Sequence, residues 1–184
     1  MNRLYVLPVF LLCVSCISFK GELKGLYSYY KKTNELYPGL LVKPDANDLV
    51  CGIAVTEKPQ VYIINGNQIR NCMVQSEHAI LYFWSPLCLS EFCYAVNVVQ
   101  RECNKKNIDL YIVSEYYDGN TMQEIYTTRH PIFAIDTEYY RSGLCDRYVP
   151  KFMADLTGTA VRDVRFIEFK NSTVTRKFDR LEDL

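Results

Sequence analysis

The chain is poor in the residues from which metal and hydrolytic sites are usually built: among 184 residues it has 2 histidines, His78 and His130, and 1 tryptophan. Neither histidine has a partner at His-x-x-x-His spacing, and no two cysteines stand as Cys-x-x-Cys, so a zinc centre has no ligand set to start from. No cofactor motif is present, and no Ser or Asp arrangement around His130-Pro131 supports a hydrolase. The chain also lacks an excess of either charge. Lys plus Arg and Asp plus Glu both total 21, with no basic block and no acidic tail, which excludes an electrostatic hold on nucleic acid or on an anionic membrane surface. No segment reaches the roughly 20 apolar residues needed to span a bilayer. With only 8 Gly and 7 Pro against 49% hydrophobic residues, extended disorder is excluded and one well-buried domain of mixed class is expected. There is no internal repeat.

What is present begins with an export pattern over residues 1–16. Arg3 supplies the positive start, Leu4 to Leu12 a short apolar core, and Val14-Ser15-Cys16 a small-residue cleavage site. The segment resembles the bacterial lipoprotein signal, which implies lipid modification of Cys16 and an exported protein anchored in the cell envelope, in the periplasm or at the outer membrane. Cys13 stands where that signal usually carries Leu, so ordinary signal-peptidase cleavage or a short uncleaved anchor stays open. Residues 17–57 read as a tether and lead-in with one helix, Leu23 to Tyr37, and residues 58–184 as the folded domain. The 15 tyrosines, several in pairs, suit strand surfaces; a carbohydrate or peptide groove is the alternative.

Gln60 to Ile64 is a β-branched run followed by Asn65-Gly66-Asn67, a hairpin-type turn. Cys51 and Cys72 flank it and either staple it as a structural disulfide or remain two buried thiols. From His78 the pattern alternates as in a parallel sheet with crossover helices. Strands are expected at Ala79 to Trp84 and Asp109 to Ser114 and helices at Leu89 to Lys105 and Asn120 to Arg129; Ile132 to Asp136 is either a strand or an extended connector, and Tyr139 to Tyr148 reads as helical around Leu144. Lys151 to Asp155 and Val164 to Phe169 close the sheet, with a turn at Lys170-Asn171-Ser172 and a short helix from about Phe178.

This order is that of a thioredoxin fold. Phe83-Trp84-Ser85-Pro86-Leu87-Cys88 resembles the Phe-Trp-Ala-x-Trp-Cys signature of the TlpA-type envelope thiol-disulfide oxidoreductases, and Val149-Pro150-Lys151-Phe152, with Asp155 and Gly158, is similar to their cis-proline segment. The resemblance covers roughly His78 to Thr175. It implies an α/β, thioredoxin-like three-layer fold, a mixed central sheet flanked by helices, with an N-terminal β-hairpin extension. It further implies Cys88 at a helix start, where unpaired N–H groups favour a thiolate, and a cis Pro150 facing it.

Glu91 stands where the family has its second cysteine, which removes the standard dithiol mechanism. Glu91 either reaches back to cap the helix or serves as a nearby base. Cys93 is the next thiol. On an unbroken helix Cys88 and Cys93 would have Cα atoms roughly 8 to 9 Å apart, beyond a disulfide's reach, so pairing requires the first turn to unwind. Pro86-Leu-Cys-Leu-Ser-Glu-Phe-Cys93 is similar to the Pro-x-Cys-x-x-Glu-x-Cys of atypical two-cysteine peroxiredoxins, which unwind in this way. Leu81 replaces their proline, Ser85 their threonine, and their assisting arginine has no counterpart beyond Arg147, near Pro150. The expected partners are protein thiols or disulfides, or peroxide. Three readings stay open: a thiol redox protein in which Cys88 attacks and Cys93 or an external thiol resolves, a thiol peroxidase, and a non-enzymatic envelope lipoprotein that retains the fold. Cys103 and Cys145 are expected to be structural.

Overall fold

A computed structural model describes residues 25–45, 49–162 and 164–184. The export segment, Cys13 and Cys16, the start of the Leu23 to Tyr37 helix and the Asn47-Asp48 turn lie outside the described residues. The elements are α1 (Tyr30–Leu36), β1 (Leu41–Val42), β2 (Val61–Ile64), α2 (Gly66–Met73), β3 (His78–Trp84), α3 (Val96–Lys105), β4 (Asp109–Ser114), α4 (Gly119–Met122), β5 (Ile132–Ile135), α5 (Cys145–Thr157), β6 (Phe166–Lys170) and β7 (Thr173–Phe178). The strands form one mixed sheet in the order β1-β2-β5-β4-β3-β6-β7. From β1 to β3 every pairing is parallel; β6 runs antiparallel to β3, and β7 antiparallel to β6.

Strands β3 and β4 are continuous apolar runs because both faces of the sheet are covered. On one face Leu81, Phe83, Val113 and Phe133 pack against Ile69 and Met73 of α2 and Tyr148, Phe152 and Leu156 of α5. On the other Ile80, Tyr82, Ile112 and Phe166 pack against Val96, Val99 and Cys103 of α3. The result is a three-layer α/β arrangement.

The Asn65-Gly66-Asn67 hairpin does not form. Asn65 instead caps α2: its side chain accepts the Gln68 N–H at 3.0 Å, and the Gln68 side chain accepts the Asn65 N–H at 3.0 Å. The glutamine three residues on satisfies two N–H groups that a hairpin would leave to other partners. Gly66 is required there because the Phe152 carbonyl and Asp155 Cβ fill the space of any side chain. Strand β2 pairs in parallel with β1 and β5, so among the described residues there is no N-terminal hairpin. The lead-in joins the fold from Leu26 on: the Ser28 N–H donates to the Gly143 carbonyl at 2.8 Å and the Cys145 N–H to the Leu26 carbonyl at 3.0 Å.

Pro150 is a second correction. It lies inside α5, and among the described residues there is no cis peptide bond. A proline in a helix interior costs about 3 kcal/mol. Tyr148, Val149, Phe152, Met153 and Leu156, all buried on one face of α5, outweigh it at roughly 1.5 to 3 kcal/mol each. Lys151 to Asp155 is therefore helix rather than strand, and Gly158, at φ +77°, terminates it. The helix expected over Asn120 to Arg129 is the single turn α4, and residues 181–183 form one 3₁₀ turn rather than a C-terminal helix.

Candidate functional site

Strand β3 ends at Trp84, and the chain then turns rather than winding into a helix. The Cys88 N–H donates to the Ser85 carbonyl at 3.1 Å. Pro86 and Leu87 are the central residues of this turn, and Leu87 takes φ +63°, a conformation costing a leucine about 1 to 2 kcal/mol. A second turn closes where the Cys93 N–H donates to the Ser90 carbonyl at 3.0 Å. Between the turns Cys88 and Cys93 form a disulfide with Cα atoms 5.8 Å apart. The cross-link is incompatible with helical spacing, which is why α3 begins only at Val96 and why Cys88 is not at a helix N-terminus. Glu91, exposed in the same loop, caps nothing: the α3 N-cap is Ala95, without a side-chain bond.

The loop is pinned at its exit by Tyr82. Its hydroxyl accepts the Tyr94 N–H at 3.1 Å and donates to the Tyr94 carbonyl at 2.9 Å. Burial pushes this phenol up to about 12, so it remains a donor near neutral pH. At the loop's tip Leu87 and Leu89 are exposed, Leu89 at 98%. Ser90 Oγ lies 3.4 Å from Cys88 Sγ and 3.3 Å from Cys93 Sγ.

Two clefts flank the disulfide. One, of about 540 Å³, is lined by Cys88, Ser85, Glu115, Arg162 and Arg165 together with Leu87, Phe92 and Val164. The other, of about 360 Å³, has an aromatic wall of Trp84, Tyr94 and Tyr126 and reaches both sulfur-bearing residues. Arg165 enters the first cleft because the Phe83 N–H donates to its carbonyl at 2.8 Å, extending the β3–β6 ladder by one residue. Its own N–H donates to Asp179 Oδ1 at 3.0 Å. The Arg165 guanidinium donates to Ser85 Oγ at 2.6 Å and lies 3.4 Å from Glu115 Oε2, and the Ser85 hydroxyl donates to that same carboxylate oxygen. Burial raises the Tyr116 hydroxyl in this cleft far above its ordinary value, so it stays neutral.

Of the residues singled out from the sequence, the fold brings Cys88 and Cys93 together. Glu91 is left in solvent, and Pro150 lines neither cleft. Arg147 is exposed on α5. The arginine, carboxylate and hydroxyl around Cys88 are Arg165, Glu115 and Ser85, of which the first two carry no local motif. The signal that finds Arg165 is topological: a strand antiparallel to the central one begins beside that strand's C-terminal end.

Cys51 and Cys72 form a second disulfide, Cα to Cα 5.2 Å, tying the turn Val50–Gly52 to the last turn of α2. Cys103 and Cys145 are buried free thiols; burial pushes Cys103 up to about 12 and raises Cys145 as well, which makes both poor nucleophiles. His78 bonds Glu168 at 2.9 Å, and His130, its imidazole held below the usual range by burial, stacks on Tyr111. Among the described residues no group of three or more His, Cys, Asp or Glu side chains is placed to hold a metal ion, and no helix is long and apolar enough to cross a membrane. Compared with protein-family models, with curated proteins and with solved structures, the chain matches none.

Proposed function

We propose that the chain is a thioredoxin-like thiol redox protein that cycles between the Cys88–Cys93 disulfide and the dithiol. The observation that carries this reading is a partly exposed disulfide in the loop leaving the central strand, with a guanidinium in the cleft on its Cys88 side. In the reductive half-cycle the Cys88 thiolate attacks a substrate disulfide, forming a mixed disulfide and releasing one substrate thiolate. The Cys93 thiolate then attacks Cys88 Sγ, releasing the second substrate thiolate and leaving Cys88–Cys93 oxidised. An external dithiol restores the pair. The fold reading is supported by the sheet order β5-β4-β3-β6-β7 with the active loop after β3. Export and a lipid anchor on Cys16 remain part of the proposal, and the Cys51–Cys72 bond suits an oxidising compartment.

A second reading, thiol peroxidase, is favoured by Arg165 and Ser85. A guanidinium and a hydroxyl in the Cys88 cleft suit a small polar oxidant, whereas Pro150 is absent from the edge where a peptide substrate would pair. Here the Cys88 thiolate takes one peroxide oxygen to become a sulfenic acid while the other leaves as an alcohol or water, and Cys93 condenses with the sulfenic acid, releasing water.

Titrating alkylation of reduced Cys88 against pH tests the step common to both. Reaction well below the roughly 8.5 of a free thiol is expected; an ordinary or inaccessible Cys88 would leave the fold as a binding module. Mass mapping after peroxide or after a disulfide substrate then separates the two: rapid Cys88–Cys93 closure with peroxide alone supports the peroxidase, and closure only with disulfides supports the oxidoreductase.

A further inference from the structure

Glu115 follows β4 directly, and its backbone is held on both sides. Its N–H donates to the Trp84 carbonyl at 2.9 Å, and its carbonyl accepts the hydroxyl of the buried Tyr148 at 2.5 Å. A side chain based on so fixed a backbone is pre-organised. Its Oε2 takes the single proton of the Ser85 hydroxyl and lies 3.4 Å from Arg165 Nη1, which also donates to Ser85 Oγ. In the oxidised protein the hydroxyl proton is thus committed to a carboxylate and the guanidinium charge is shared with it.

The charged and titratable groups around Cys88 come from five elements, one of them the segment after α4, whose Glu124 and Tyr126 line the second cleft together with Tyr94. Its own loop carries Glu91 and Cys93. The segment after β4 carries Glu115 and Tyr116, the segment before β6 carries Arg162 and Arg165, and the segment after β7 carries Asp179, which accepts the Arg165 N–H, and Arg180, which lies over Phe92 at 5.7 Å. Of the carboxylates, Glu115 is the one bonded to the same Ser85 hydroxyl that receives Arg165.

We propose that Glu115 is a positioning residue that holds Arg165 and the Ser85 hydroxyl in a closed cluster while the site is oxidised, so that the thiolate formed on reduction must compete with a carboxylate for the Arg165 guanidinium. The inference rests on the thiol redox reading. A dithiol reductant supplies two electrons and two protons, becomes a disulfide, and leaves Cys88 and Cys93 as thiols. Cys88 then gives its proton to solvent, and the negative charge of Glu115 opposes that loss. The carboxylate thereby restrains the reactivity that Arg165 alone would confer.

The test uses the full chain with Cys93→Ser, so that Cys88 is the titrating thiol of the site, and follows iodoacetamide labelling of Cys88 by mass mapping across pH. Glu115→Gln is expected to lower the midpoint by about one unit. Well below the midpoint, the thiolate fraction then rises about tenfold and intrinsic nucleophilicity falls about threefold, so labelling speeds up roughly threefold. Glu115→Asp, which keeps the charge, is expected to return the midpoint toward that of the parent, and Glu115→Ala to move it in the same direction as Glu115→Gln. An unchanged or raised midpoint in Glu115→Gln and Glu115→Ala overturns the proposal, including the case in which only the melting temperature falls, since that is the signature of a merely structural ion pair. The midpoint difference is read whether or not the protein turns over disulfides or peroxide, so failure of the redox reading and failure of this inference are distinguishable.

Discussion

Glu168 and Glu115 are both carboxylates met by an arginine, and their surroundings set them to different tasks. Glu168 is buried on β6 and accepts from Arg176 at 2.7 Å, His78 at 2.9 Å, Thr175 at 2.9 Å and Lys170 at 3.1 Å. The Arg176 bond first, then those of Lys170 and His78, hold its carboxyl far below the usual carboxylate range. A depressed folded-state value means stability that is present above the unfolded value of about 4.3 and lost as pH falls below it. Glu168→Gln is therefore expected to destabilise by about 1 to 2 kcal/mol at neutral pH, a modest figure because Arg176 and Lys170 are about half exposed. In thermal melts the gap between wild type and variant should narrow as pH is lowered from 5 to 3; a gap independent of pH would contradict this role. Glu115 faces a cleft rather than a packed sheet, and its carboxylate meets Arg165 and the Ser85 hydroxyl beside Cys88.

At the level of elements, α2 and α5 are both helices that local rules misassign, for opposite reasons. Asn65-Gly66 suits a turn, yet Gln68 completes a capping box; Asn65→Ala should cost about 1 kcal/mol, read as a fall in Tm of about 2 to 4 °C. Pro150 opposes a helix, yet the buried face of α5 overrides it. Restoring the missing N–H in Pro150→Ala should raise stability by about 1 to 3 kcal/mol in urea melts. A loss instead would indicate that the ring's packing on α5 outweighs its backbone cost. In α3 it is the disulfide that overrides pattern: Phe92 has helical spacing with Val96 and Val99 but lies in the loop, because Cys88 and Cys93 are bonded.

Across the whole molecule the two disulfides do different work. Cys51–Cys72 spans 21 positions and ends on a fully buried Cys72, whereas Cys88–Cys93 spans 5 in an exposed loop. Loop-closure entropy assigns about 3 kcal/mol to the first and about 2 kcal/mol to the second. With graded dithiothreitol, mass mapping should find Cys88–Cys93 opened at concentrations that leave Cys51–Cys72 intact, and loss of Cys51–Cys72 should shift the urea midpoint more than loss of Cys88–Cys93. Simultaneous opening of both would count against a dedicated redox loop. The longer cross-link anchors the segment before β2 to α2.

Strands β3 and β4 were legible in the chain because an apolar run of β-branched and aromatic residues, bounded by polar turns, has few other uses, whereas the shorter run that forms β5 was open between a strand and an extended connector. The need to unwind the residues between Cys88 and Cys93 followed from helix geometry alone, since a fixed rise per residue sets their separation. The helical spacing of Val96 and Val99 in α3 was likewise a local matter. What only the tertiary structure decided rests on contacts between distant residues: Ser85 meets Arg165 and Glu115 across separations of 80 and 30 positions. Asn65 and Pro150 yield to the packing of α2 against α5. Local sequence carries propensities of a kilocalorie or so per residue, and a buried helix face or a cross-strand ion cluster outweighs them. The condition for Cys88 and Cys93 to pair could therefore be read from the chain, but the charged side chains placed beside them could not.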